Sequence, residues 1–86
     1  MNYKIDIAPL SDYFVVIVKD KITDELKDTF TLNESGTDML QLFCEGKDSE
    51  AVAKEIAEMY DAPLDLVSKD VITFKENLSK KGILFE

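Results

Sequence analysis

The stretch Phe30 to Gly46, FTLNESGTDMLQLFCEG, constrains the fold more than any other: an extended segment turns into a helix at Asn33, and the helix stops at Gly46. Asn33 is placed as an N-cap, because its side-chain oxygen can accept from the free amides of the first turn while Glu34 and Asp38 lie near the positive end of the dipole. Gly36, Met39 or Leu40, and Phe43 recur at helical spacing and define a face that must meet a core. Gly46 suits a left-handed C-cap. The chain before this joint reads as sheet, and the chain beyond it reads as helix.

Taken from the start, Tyr3, Ile5 and Ile7 alternate with Lys4, Asp6 and Ala8, the pattern of a strand with one covered face. Pro9 is expected to end it, and Ser11 and Asp12 to make a turn. Phe14 to Val18 (FVVIV) is apolar at every position, which suits the middle of a sheet with both neighbours paired. Asp20 to Asp24 is a polar loop of hairpin length. Glu25 to Leu32 forms a third strand, with Leu26, Asp28, Phe30 and Leu32 on one face and Lys27, Thr29 and Thr31 on the other. In a meander with the second strand central, the third is an edge whose backbone groups are open to another chain.

The second half carries two more helices. Asp48 or Ser49 can cap Ser49 to Tyr60, whose apolar set is Val52, Ala53, Ile56, Ala57, Met59 and Tyr60, opposite Glu50, Glu55 and Glu58. Pro63 suits the first turn of a third helix running to Lys81. There Leu64, Val67, Val71, Phe74 and Leu78 step by three, four, three and four, and Gly82 ends the helix. Ile83 to Phe85 is a short apolar tail expected to pack back on the domain.

At 86 residues the chain is expected to be one domain, and a hydrophobic fraction of 45% with a third of residues charged describes a globular, ordered chain. Eighteen carboxylates face ten lysines and no arginine, for a net charge of −8. Without the planar fork that reads phosphate or guanine, and with this charge, nucleic acid is an unsuitable partner. No apolar run or basic amino terminus suggests a membrane span or signal peptide, so the expected location is the cytoplasm.

The catalytic inventory is nearly empty. There is no histidine to serve as general base or metal ligand, and no phosphate-cradling glycine loop. Cys44, the single cysteine, can build neither an intramolecular disulfide nor a metal site by itself, and its place near the stripe of the first helix suggests a small buried thiol. Paired carboxylates such as Asp61 with Asp65, or Glu55 with Glu58, read as a solvated acidic face. No enzyme, cofactor or metal is expected.

Three strands followed by three helices give an α+β fold: a three-stranded antiparallel sheet, then a three-helix bundle of winged helix-turn-helix type. DNA use of that fold is opposed by Asp61 and Asp65 at the start of the would-be recognition helix, and by Asp65, Asp70 and Glu76, which nearly cancel Lys69, Lys75, Lys80 and Lys81.

The run LNESGTDMLQLFCEGKDSEAVAKEIAEMYDAP, followed by KDVITFKENLSKKGIL, resembles PqqD and the wider set of peptide-recognition domains for ribosomally made, post-translationally modified peptides. The Leu32-Asn33 joint carries the likeness, with Ser35, Gly36, Gly46-Lys47, Tyr60-Asp61, Asp70-Val71, Phe74, Leu78 and Gly82-Ile83-Leu84. The amino-terminal strands match in pattern only. Lys75 stands where the family often has an apolar residue, and Ala62-Pro63 shortens the link into the third helix. The resemblance implies an adaptor that binds the leader segment of a precursor peptide and presents it to a modifying enzyme, such as a radical S-adenosylmethionine protein in the synthesis of pyrroloquinoline quinone.

The residues agree with such a role. An exposed strand beside an amphipathic helix suits strand addition, in which main-chain bonds give grip and side-chain pockets give selectivity. Lys27, Asp28, Thr29, Phe30 and Thr31 would supply the strand, offering five or six backbone hydrogen bonds. The third helix would supply apolar anchors, with a groove on the flank of Ser68, Ile72 and Lys75. Ile72 is the apolar residue that the core stripe leaves unexplained, and Asp70, on the other flank with Leu66 and Asn77, matches a family position. The alternative is a winged-helix protein-interaction or dimerising regulatory module that uses the same edge for itself; either way the chain is a monomer or a homodimer.

Overall fold

In a computed structural model that describes residues 3–83, the apolar run Phe14 to Val18 lies in the central strand of a three-stranded antiparallel sheet. The elements are β1 (Tyr3–Leu10), β2 (Tyr13–Asp20), β3 (Leu26–Leu32), α1 (Glu34–Cys44), α2 (Ser49–Tyr60) and α3 (Leu64–Lys80), with sheet order β1-β2-β3. The chain divides into two compact units, one ending at Thr37 and the other beginning at Asp38.

In the first unit, cross-strand register fixes which side chains share a face. Ile5 lies opposite Val18, Ile7 opposite Val16, and Val16 in turn opposite Phe30. Val16 and Val18 are fully buried, whereas Val15 and Ile17 on the other face are half-buried. The uniform hydrophobicity of β2 thus belongs to a central strand with one face more deeply covered than the other. Pro9 does not end β1, which continues to Leu10 with Pro9 opposite Phe14. β1 pairs with β2 alone among the described residues, and an edge strand tolerates a residue that lacks an N–H. Ser11 takes a positive φ of 44° in the two-residue turn between β1 and β2, as the mirror-image turns of tight hairpins require.

The joint forms as its sequence implies. Asn33 Oδ1 accepts from the Gly36 N–H at 2.9 Å, and the buried Thr37 hydroxyl donates to the Asn33 carbonyl at 2.9 Å, closing the first turn of α1.

The second unit is held by one apolar cluster: Met39, Leu42 and Phe43 from α1, Val52, Ala53 and Ile56 from α2, and Val67 and Val71 from α3. All three helices close on the same device, in which the residue after a left-handed one bonds back across the last turn. Lys47 donates to Leu42 at 3.3 Å, Ala62 to Ala57 at 3.0 Å and Ile83 to Leu78 at 2.9 Å. Gly46 and Gly82 supply the left-handed residue for α1 and α3, and Asp61, at φ 50°, supplies it for α2. The buried Ile83 next to the buried Leu78 adds the apolar contact typical of such endings. The remainder of the expected apolar tail, Leu84 and Phe85, lies outside the described residues.

Asp48, through its side chain, accepts from the Ala51 N–H at 2.9 Å and caps α2, while Pro63 occupies the cap position of α3 without a side-chain bond, one place earlier than expected. Two side-chain links brace the helices: Tyr60 donates to Asp38, and Lys47 pairs with Glu55. Leu64 departs from its expected place in the core stripe, being 46% exposed. It is the first residue of α3, and side chains there lean toward the amino terminus, beyond the packed turns. Met59 and Tyr60, assigned by periodicity to the covered face of α2, are likewise exposed at the helix end.

Candidate functional site

Two surfaces carry the residues singled out by sequence, one in each unit. The first is the side of β3 away from β2, with which no other strand among the described residues pairs. Opposite β2, Phe14 faces Leu32, Val15 faces Thr31, Val16 faces Phe30, Ile17 faces Thr29 and Val18 faces Asp28, but Lys19 then faces Leu26. Lys27 is therefore an extra residue without a cross-strand partner, a bulge that ends the regular edge.

Backbone groups along an antiparallel strand alternate between the paired neighbour and the open side. The Thr29 N–H donates to the carboxylate of the preceding residue, Asp28 Oδ1, at 2.8 Å, so it is not spent on β2. Alternation places the N–H and C=O of Thr31 on the same open side as those of Thr29. Between the bulge at Lys27 and the helix cap at Asn33 the edge thus offers two residues and four ladder positions, fewer than the five or six expected from the strand's length. Thr29 and Thr31 are exposed, and Asp28 and Phe30 are half-buried on the face they share with Val16 and Val18.

The loop before β3 holds the edge in register. Asp20 donates its N–H to the Glu25 carbonyl at 2.8 Å, and its carboxylate accepts from the Ile22 and Thr23 amides at 2.8 and 2.9 Å. Those amides, Thr23 foremost, hold the Asp20 carboxyl below its ordinary pKa. Asp24, at φ 63°, pairs with Lys4 of β1 at 2.7 Å. The hydrogen bond and charge of that pair lower the Asp24 pKa and raise that of Lys4.

The second surface is one flank of α3. Ser68, Ile72 and Lys75 succeed one another at helical spacing just outside the core stripe, with Ser68 and Lys75 half-buried and Ile72 52% exposed. The Lys75 ammonium stands over the Phe43 ring, 5.8 Å from its centroid, and Phe43 stacks on Phe74 at 6.4 Å. The Lys75 charge thus meets a ring face, the arrangement of a cation–π contact. Asp70 is exposed and lies on the opposite flank of α3, so the helix does not gather it with the other three.

Cys44 is exposed, contrary to the buried thiol read from its neighbours. Phe43 and Leu40 take the covered face of α1, and the last helical position turns Cys44 away from it. Partial desolvation and the neighbouring Glu45 carboxylate push its thiol up, away from a reactive thiolate. Among the described residues no group of three or more histidine, cysteine or acidic side chains could hold a metal ion. None of their helices is long and apolar enough to cross a membrane.

The elements define a class: an α+β fold in which a three-stranded antiparallel meander leads through a capped joint into three helices. A family model described as coenzyme PQQ synthesis protein D (PqqD) matches residues 20–84, and the chain belongs to the PqqD family. That match takes in β3 as well as the three helices. A solved structure of TbiB1 in complex with the TbiA(beta) leader peptide is similar to the chain, with a TM-score of 0.70, covering 98% of this chain and 94% of that one. At 24% identity, what the two share is the fold. No curated protein sequence matches the chain.

Proposed function

We propose that this protein is a non-catalytic adaptor that binds the leader segment of a precursor peptide along β3 and presents it to a modifying enzyme. The observation that carries the reading is on the side of β3 away from β2, where the Thr29 N–H is given to Asp28 and strand alternation puts the Thr31 backbone groups on the same side. The TbiB1 complex supports it by pairing a similar fold with a leader peptide. Membership of the PqqD family supports a place in the making of a peptide-derived product, with a radical S-adenosylmethionine enzyme as one candidate for the enzyme partner.

The energetics ask for more than the ladder. Four backbone bonds at a net of about 0.5–1.5 kcal/mol each contribute roughly 2–6 kcal/mol. Ordering a free peptide costs about 2–5 kcal/mol. The two nearly cancel, so micromolar affinity, about −8 kcal/mol, requires apolar side chains as well. Ser68, Ile72 and Lys75 on α3 are proposed as a separate peptide-contacting surface, with Ile72 its apolar residue, and Asp70 is proposed as a polar contact.

The experiment is a titration of the purified protein with the leader of a short precursor peptide encoded beside its gene, monitored by backbone amide shifts. Saturable binding that moves Thr29 and Thr31 supports the adaptor. An unmoved spectrum with a concentration-dependent mass supports a self-pairing interaction module instead.

A further inference from the structure

Asp28 is the one charged residue among the side chains that β3 shares with the covered face of β2. It stands opposite the buried Val18 and next along that face from Phe30. Its carboxylate accepts the N–H of Thr29 at 2.8 Å, in an exposed hydrogen bond between neighbouring residues. That N–H is one of the two open-side donors on the regular part of the edge.

We infer that Asp28 is an intramolecular competitor for the peptide: in the free protein its carboxylate occupies the Thr29 donor, and a peptide carbonyl must displace it to complete the ladder. The inference rests on the strand-addition reading above and adds to it a residue that sets affinity. The arrangement also fits a general need of edge strands, whose open donors template unwanted pairing unless something blunts them. The bulge at Lys27 limits one end of the edge, and Asp28 fills the first donor beyond it.

The test compares the wild type with Asp28→Ala, with Asp28→Val as a second variant whose side chain suits a strand and an apolar face, and with Asp28→Asn, which keeps an acceptor oxygen. Two quantities are read: exchange of the Thr29 amide in the free protein, and affinity for the same leader peptide. Removing the acceptor is expected to speed Thr29 exchange and to tighten leader binding roughly three- to tenfold, the worth of one net hydrogen bond. Asp28→Asn is expected to stay near the wild type in both.

Wild-type binding through β3, with Asp28→Ala and Asp28→Val folded but no tighter, would overturn the competition and leave the adaptor reading intact. Equal tightening by Asp28→Asn would also overturn it, because charge and not the hydrogen bond would then be the cause. A wild type that ignores the leader would overturn both readings together, whatever the Thr29 amide does.

Discussion

The ammonium of Lys75 lies 5.8 Å from the ring centroid of Phe43, a buried residue of α1, and so ties the candidate flank of α3 to the core beneath it. Lys75→Gln is expected to lower stability by about 0.5–1 kcal/mol, the range of a partly exposed cation–π contact, read by urea unfolding. A loss of leader affinity with stability unchanged would instead mark Lys75 as a contact residue.

Ile72 touches the opposite question, because it is 52% exposed and contributes little to the core. Ile72→Glu is expected to leave the unfolding midpoint nearly unchanged. If a leader side chain buries it, affinity should fall by about 1.5–3 kcal/mol, roughly ten- to a hundredfold. Calorimetric titration of the variant decides this, and unaltered affinity removes Ile72 from the site.

The joint at Asn33 makes a coupled pair. Asn33 Oδ1 holds the Gly36 amide at 2.9 Å, and a Cβ at position 36 would stand 3.1 Å from that same oxygen. Asn33→Ala is expected to cost about 1 kcal/mol through the lost cap. Gly36→Ala sets that crowding against alanine's better helix propensity, and should be better tolerated in the Asn33→Ala background, where the crowded oxygen is gone. Thermal unfolding of the four proteins measures the coupling, and simple additivity would contradict it.

Acid should loosen the β2–β3 hairpin. Asp20 and Asp24 have folded pKa values below the ordinary carboxylate value, so their contribution is fully present above that value and is lost as the pH falls through the lowered ones. Lys4 is raised, so its side of the pair fails only as the pH climbs through that raised value. Stability is therefore expected to fall as the pH drops below about 4. In the Asp20→Ala, Asp24→Ala double variant the same pH series should fall less steeply.

Much of this fold is legible in the sequence because its signals are local. Asn33, Gly46, Asp48 and Gly82 each act on atoms within a few residues of themselves, and the spacing of Val67, Val71 and Leu78 states its own period. The misread positions depend on more distant facts. Pro9 stays in β1 because that strand is an edge, a property of sheet order and not of residue type. Cys44 and Leu64 sit at helix ends, where a periodic stripe runs past the core it serves.

The edge was legible as an edge but not in its reach. The bulge at Lys27 is set by counting residues against β2, and alternation along β3 alone conceals it. A single signal did point to the Asp28–Thr29 bond: an acid among Leu26, Phe30 and Leu32, on a face that otherwise reads as apolar.

Thr31 offers the most direct test of the central claim, because its open-side N–H, unlike that of Thr29, is not held by Asp28. Proline there removes one open-side donor and should spare the pairing of Phe30 and Leu32 with β2. With the fold verified by amide spectra, Thr31→Pro is expected to weaken leader binding at least three- to tenfold, about one hydrogen bond's worth. Undiminished affinity in a folded Thr31→Pro protein would contradict strand addition at β3.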